Sequence, residues 1–133
     1  MKAIRLILCI AVLAWSAACD NGGGGSEAGD QLIGAECTGV ENCDDDDPDT
    51  PALECVTGFK GGYCGRAGCT ASLECPEGSL CAVVDGSNYC FLVCTEKFQC
   101  NEHRTLENES NCSSNIDPVE GGEEKLCIPP SGE

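Results

Sequence analysis

Aromatic residues are scarce in this 133-residue chain: past Ala18 only Phe59, Tyr63, Tyr89, Phe91 and Phe98 remain. A chain this short and this poor in large apolar side chains buries too little surface to hold a fold by packing alone. Positive charge is scarce too, with 7 Lys and Arg against 23 Asp and Glu. Two of those cations, Lys2 and Arg5, stand in an N-terminal segment without an acid, so the chain beyond it carries −18 where the whole carries −16. That balance excludes a nucleic-acid partner and direct contact with an anionic membrane surface, both of which require basic residues; its plain meaning is solubility. There is one histidine, His103. No serine or cysteine nucleophile can be placed beside it, and with Glu102 and Arg104 it reads as an exposed loop. No C-x-x-C dithiol occurs, which argues against thiol redox catalysis. Carboxylates are too abundant for any pair of them to point to acid–base chemistry. The composition favours a protein that is not an enzyme.

What the chain has is cysteine, 14 in all. Twelve of them fall in the 91 residues from Cys37 to Cys127, about 13% of that stretch, a density that marks an exported disulfide scaffold. Each native bridge contributes about 2–4 kcal/mol, chiefly by restricting the unfolded chain.

The first residues agree with export. Lys2 and Arg5 form a positive start, Leu6–Trp15 an apolar stretch, and Ser16-Ala17-Ala18 a run of small residues before a cut, so residues 1–18 read as a signal peptide. Ala17-Ala18-Cys19 resembles the bacterial lipobox, with Ser16 departing from the aliphatic residue that family usually carries. The resemblance implies a lipid on Cys19 and anchoring in a bacterial membrane. Cysteine parity supports it: once Cys9 leaves with the leader and Cys19 is acylated, twelve remain, an even number that can pair completely. Residues 19–36 then read as the lipidated cysteine and a glycine-rich tether of roughly 20–25 Å root-mean-square reach. Asp20 resembles the inner-membrane retention signal of enteric bacteria, a lineage-specific rule that does not choose a membrane here.

The twelve cysteines form three copies of C-x5-C-x(5 or 11)-C-x(8 or 14)-C: residues 37–68 (Cys37, Cys43, Cys55, Cys64), 69–93 (Cys69, Cys75, Cys81, Cys90) and 94–127 (Cys94, Cys100, Cys112, Cys127), with a tail at 128–133. Thr38, Thr70 and Thr95 follow the first cysteine of each copy, and Tyr63, Tyr89 and Leu126 precede the fourth. In the second copy, residues 80–84 and 89–93 predict two strands joined by the four-residue turn Asp85-Gly86-Ser87-Asn88, whose Asp-Gly pair is a hairpin signal. The first copy predicts a looser hairpin turning through residues 57–62, and the third one turning through residues 120–123. The x5 link predicts a tight turn or a single helical turn. The fold class is therefore small and disulfide-rich, with three tandem short β-hairpin units and little helix. Four cysteines allow three pairings. First with third and second with fourth is preferred, because it carries both bridges from the x5 link to the hairpin.

The sequence pattern C-T-x4-C, Cys75-Pro76-Glu77-Gly78-Ser79-Leu80-Cys81 and Gly61-Gly62-Tyr63-Cys64 resembles the cysteine-rich repeat lipoproteins of myxobacteria and related bacteria, and more distantly the N-terminal cysteine-rich region of Dickkopf proteins. The first likeness implies location and architecture: an extracytoplasmic protein, on the periplasmic face or cell surface, tethered through its lipid. Its partner is an unknown protein, and no cofactor is implied.

Other chemistries are weaker. Zinc prefers C-x2–4-C spacing, which occurs here only across unit boundaries. The run Asp44, Asp45, Asp46, Asp47 and Asp49 could supply oxygens to calcium. It lacks the EF-hand pattern and reads first as a solvated insertion, so a calcium-stabilised adhesive domain is the alternative to a plain interaction or structural module. Arg66, between Gly65 and Gly68, could sit on a braced protease-inhibitor loop, the least favoured of the three. Asn108-Glu109-Ser110 and Asn111-Cys112-Ser113 match a glycosylation triplet that has no bearing on a bacterial lipoprotein.

Overall fold

The computed structural model describes residues 32–44, 48 and 52–132. Within them β1 (Glu54–Cys55) and β2 (Cys64–Gly65) form one small sheet, and β3 (Ser79–Val84), β4 (Ser87–Cys94), β5 (Asn111–Ser113) and β6 (Lys125–Ile128) form another in the order β3-β4-β6-β5. Among the described residues, helix is confined to 3-10 turns of three to five residues at Val40–Asn42, Ser72–Glu74, Lys97–Asn101 and Leu106–Asn108. Three of these occupy the x5 links, as the spacing predicts.

The disulfides hold the described body together as three units of four cysteines. Cys37 bonds Cys55, and Cys43 bonds Cys64; Cys69 bonds Cys81, and Cys75 bonds Cys90; Cys94 bonds Cys112, and Cys100 bonds Cys127. Every unit pairs first with third and second with fourth. The register brings both bridges to the same link. The third and fourth cysteines of each unit face each other across the hairpin, Cys55 opposite Cys64, Cys81 opposite Cys90 and Cys112 opposite Cys127. Two bridges therefore run side by side to one x5 link. Each closes a loop of 12 to 27 residues, worth about 3 kcal/mol in the chain-entropy account.

The middle hairpin is the most regular. Asp85 (φ 51°) and Gly86 (φ 79°) make a two-residue turn with both residues left-handed, the geometry whose twist matches the strands it joins. Strand pairing therefore runs to Val84 and Ser87, tighter than a four-residue turn would allow.

β4 joins the units. On one edge it pairs with β3 from Ser87 to Leu92. Its other edge is divided. At its first half the Cys90 amide donates to the Arg66 carbonyl (2.9 Å) and the Asn88 carbonyl accepts from Gly68 (2.9 Å), which attaches unit 1. At its second half Val93 and Cys94 pair with Leu126 and Lys125 of unit 3. Tyr63 fills the gap between. Its hydroxyl donates to the Cys90 carbonyl and accepts from the Leu92 amide, both at 3.3 Å. The ring is fully buried and packs against Phe59 and Phe91, with Tyr89 closing the cluster. Four of the five aromatic residues beyond the leader thus sit in one core at the junction of units 1 and 2.

Residues on both sides of the cysteine units pack against them. Leu32 to Glu36 lie on unit 1. Ile33 and Ala35 are buried, Gly34 donates to the Cys64 carbonyl, and Cys64 donates to Ala35. Ile33 is part of the core, and Leu32 packs against it. The C-terminal residues are also part of the body. Lys60 donates to Pro130, Gly132 donates to Gly58, and Phe59 bridges Ser131, so the end of the chain is strapped to unit 1. The long loop of unit 3 wraps the other way, with Pro118 bridging Ala82 and Val119 donating to Cys81 along the outer edge of β3.

Candidate functional site

One small device recurs in each x5 link. The amide and hydroxyl of Thr38 both donate to Asn42 Oδ1 (2.9 and 3.2 Å). Thr70 donates through the same two groups to the Glu74 carboxylate (2.6 and 3.1 Å), and Thr95 to Gln99 Oε1 (2.8 and 3.1 Å). The recurring threonine is plain in the sequence. Its partner is not, because Asn42, Glu74 and Gln99 differ in type; what they share is a side-chain oxygen immediately before the second cysteine. These staples fix the turn and leave Val40, Leu73 and Phe98 facing solvent.

The same geometry crowds sulfur. In each unit the Sγ atoms of the first three cysteines lie within 4.8 Å of one another. The trio resembles a ligand set, but its sulfurs are bonded in disulfides and present no thiolate for a metal.

Units 1 and 3 meet through Arg104, which the sequence reading placed in an exposed loop. The side chain is half-buried and spans both units. Its Nε donates to the Asn108 carbonyl (2.7 Å), and its terminal nitrogens donate to Gly34 (3.1 Å), Gly62 (3.0 Å) and Lys60 (2.8 Å). A guanidinium is the one side chain with enough forked donors for four carbonyls. Burial lowers its pKa from the ordinary value, and the Glu36 charge opposes that. Glu36 completes the junction by accepting from the Thr105 amide and hydroxyl (2.6 and 2.7 Å) through Oε1. Burial raises the Glu36 carboxyl, but Thr105, Asn108 and the Arg104 charge lower it by more, so it titrates below the usual carboxylate range. Lys60 Nζ adds a bond to the Glu107 carbonyl (3.0 Å). Gly62 is required here: at φ +69° it runs against Cys37, and a Cβ would collide with that carbonyl.

The residues singled out from sequence are scattered. Cys19 and residues 1–31 lie outside the described residues, as do Asp45, Asp46, Asp47 and Asp49 of the acidic run; Asp44 is exposed at its start. His103 is exposed, and its carbonyl accepts the Glu36 amide. Arg66 does not project from a free loop. Its carbonyl is paired to β4, the Ala67 amide donates to Glu54, and its guanidinium folds back to the Glu74 carbonyl (2.7 Å). An inhibitor loop must leave its backbone free for the protease, whereas this one is committed to its own sheet. The groove beside it, about 340 Å³, is lined by Arg66, Ala67, Gly68, Cys69 and Glu74. None of these is an activated nucleophile.

Comparison with protein-family models, curated proteins and solved structures finds no match for this chain. The six disulfides fit an extracellular or otherwise oxidising compartment. Among the described residues no helix is long and apolar enough to cross a membrane.

Proposed function

We propose that this chain is a non-enzymatic lipoprotein, tethered outside the cytoplasm by a lipid on Cys19 and acting as an interaction or structural module. The observation that carries the reading is the complete pairing of the twelve later cysteines with one another. It leaves no cysteine of the body as a disulfide partner for Cys19. A lone thiol just after a secretory leader is the position at which the lipobox resemblance places acylation. Two or more acyl chains hold a protein on a membrane where one holds only marginally.

Four of the five cationic side chains among the described residues support a structural rather than catalytic use of charge. Lys60, Arg66 and Arg104 donate to backbone carbonyls, and Lys97 pairs with Glu109 (2.6 Å). The test is the mass of the N-terminal peptide of the mature protein isolated from its own membranes. A peptide beginning at Cys19 and carrying acyl mass is expected; the same peptide with a bare cysteine overturns the anchor.

A further inference from the structure

Large apolar side chains are few in this chain, yet six of those in the described residues face solvent, and three stand on neighbouring segments, two in unit 2 and one on the unit 3 loop that lies along β3. Leu73 is 96% exposed, Val83 44% and Val119 37%. Hydrogen bonds join the backbone that carries them. The Ser72 amide donates to Glu120 Oε2 (3.1 Å), the Cys81 amide to Ser72 Oγ (3.3 Å), and the Val119 amide to the Cys81 carbonyl (2.8 Å). The 3-10 turn Ser72–Glu74, strand β3 and residues 117–120 therefore form one surface. Its charged members are Glu74, Asp117 and Glu120, all exposed, and these segments hold no lysine or arginine. Arg66 reaches only its border, at the Glu74 carbonyl.

We propose that this surface docks a segment of another protein that is both apolar and cationic. The apolar side chains would cover Leu73, Val83 and Val119 while lysine or arginine meets the acidic rim. Charge selects this occupant. A second copy of the chain would bring net negative charge against net negative charge, whereas an amphipathic basic segment gains from both the apolar centre and the rim. The inference rests on the reading of the chain as an interaction module and names the partner's chemistry.

The test titrates the intact, oxidised protein with a synthetic amphipathic Leu/Lys peptide, followed by amide chemical shifts. Two control peptides accompany it, one with Ser in place of Leu at equal charge and one with Glu in place of Lys. Shift changes are expected to centre on residues 72–74, 82–84 and 117–120. Leu73→Ser with Val119→Ser should weaken binding at least tenfold, since each lost apolar contact is worth about a factor of ten. Phe98→Ser, on the 3-10 turn Lys97–Asn101 outside this surface, should leave binding unchanged. Shifts spread over all carboxylates, equal binding of the Ser/Lys peptide, an unaffected double variant, or self-association of the protein alone would each overturn the proposal. A bare Cys19 peptide would remove the anchor and leave this surface standing, so the two failures are distinguishable.

Discussion

Tyr63→Phe removes one oxygen and nothing else, so it isolates the hydroxyl that sits where β4 changes partners. The ring keeps its neighbours, Phe59 at 5.9 Å and Phe91 at 5.4 Å between centroids. What is lost is a donor to the Cys90 carbonyl and an acceptor for the Leu92 amide. Cys90 is fully buried, so water cannot take over there. An orphaned buried group costs about 1–3 kcal/mol, and two long bonds at 3.3 Å place the total near the middle of that range, about 2 kcal/mol. With the disulfides intact, the guanidinium midpoint should fall by about 0.5–1 M at unchanged slope. Leu92 amide exchange should quicken about 30-fold. Burial holds the Tyr63 phenol well above its ordinary pKa, so the bonds persist through neutral and mildly alkaline pH. Tyr89→Phe, in the same ring cluster but outside these two bonds, is the control. A loss under about 0.5 kcal/mol, or equal losses in the two variants, would refute the account of β4 as the strand that joins the units.

Arg104→Ala should cost about 3 kcal/mol or more, because four carbonyls lose a charged donor, and limited proteolysis should then cut first where unit 1 meets unit 3. Ser110→Ala should be neutral or stabilising by thermal unfolding, since the Ser110 hydroxyl is fully buried and has no hydrogen-bond partner. Glu36 and Glu74 both titrate below their ordinary value in the folded chain. Their contribution is therefore fully present above the unfolded carboxylate pKa and is lost as pH falls through the lower folded values. Denaturation curves from pH 7 downward should show stability declining below about pH 4.5, and Glu36→Gln should flatten that decline.

Much of the architecture was legible because cysteine spacing is a long-range signal. Three units, their hairpins and a tight or helical turn in each x5 link follow from it, and the Asp-Gly turn signal of the middle hairpin follows from local chemistry. The joining of units 2 and 3 through β4 and β6 was not legible, because Val93 and Leu126 carry no mark of their register. Arg104 was missed for a related reason: its four acceptors are backbone carbonyls, which any sequence would supply. Leu32-Ile33 carries no signal of its burial, because two apolar residues beside a glycine-rich run form no periodic pattern. The exposed Leu73 could not be told from a core residue by type alone, and only its place on a turn closed by Thr70 and Glu74 explains why it faces water.

The most direct test of the architecture is peptide mapping of the oxidised protein under non-reducing conditions. Six linked peptides are expected, 37 with 55, 43 with 64, 69 with 81, 75 with 90, 94 with 112 and 100 with 127. A bridge between two units, or a first-with-fourth pairing inside one, would contradict the account.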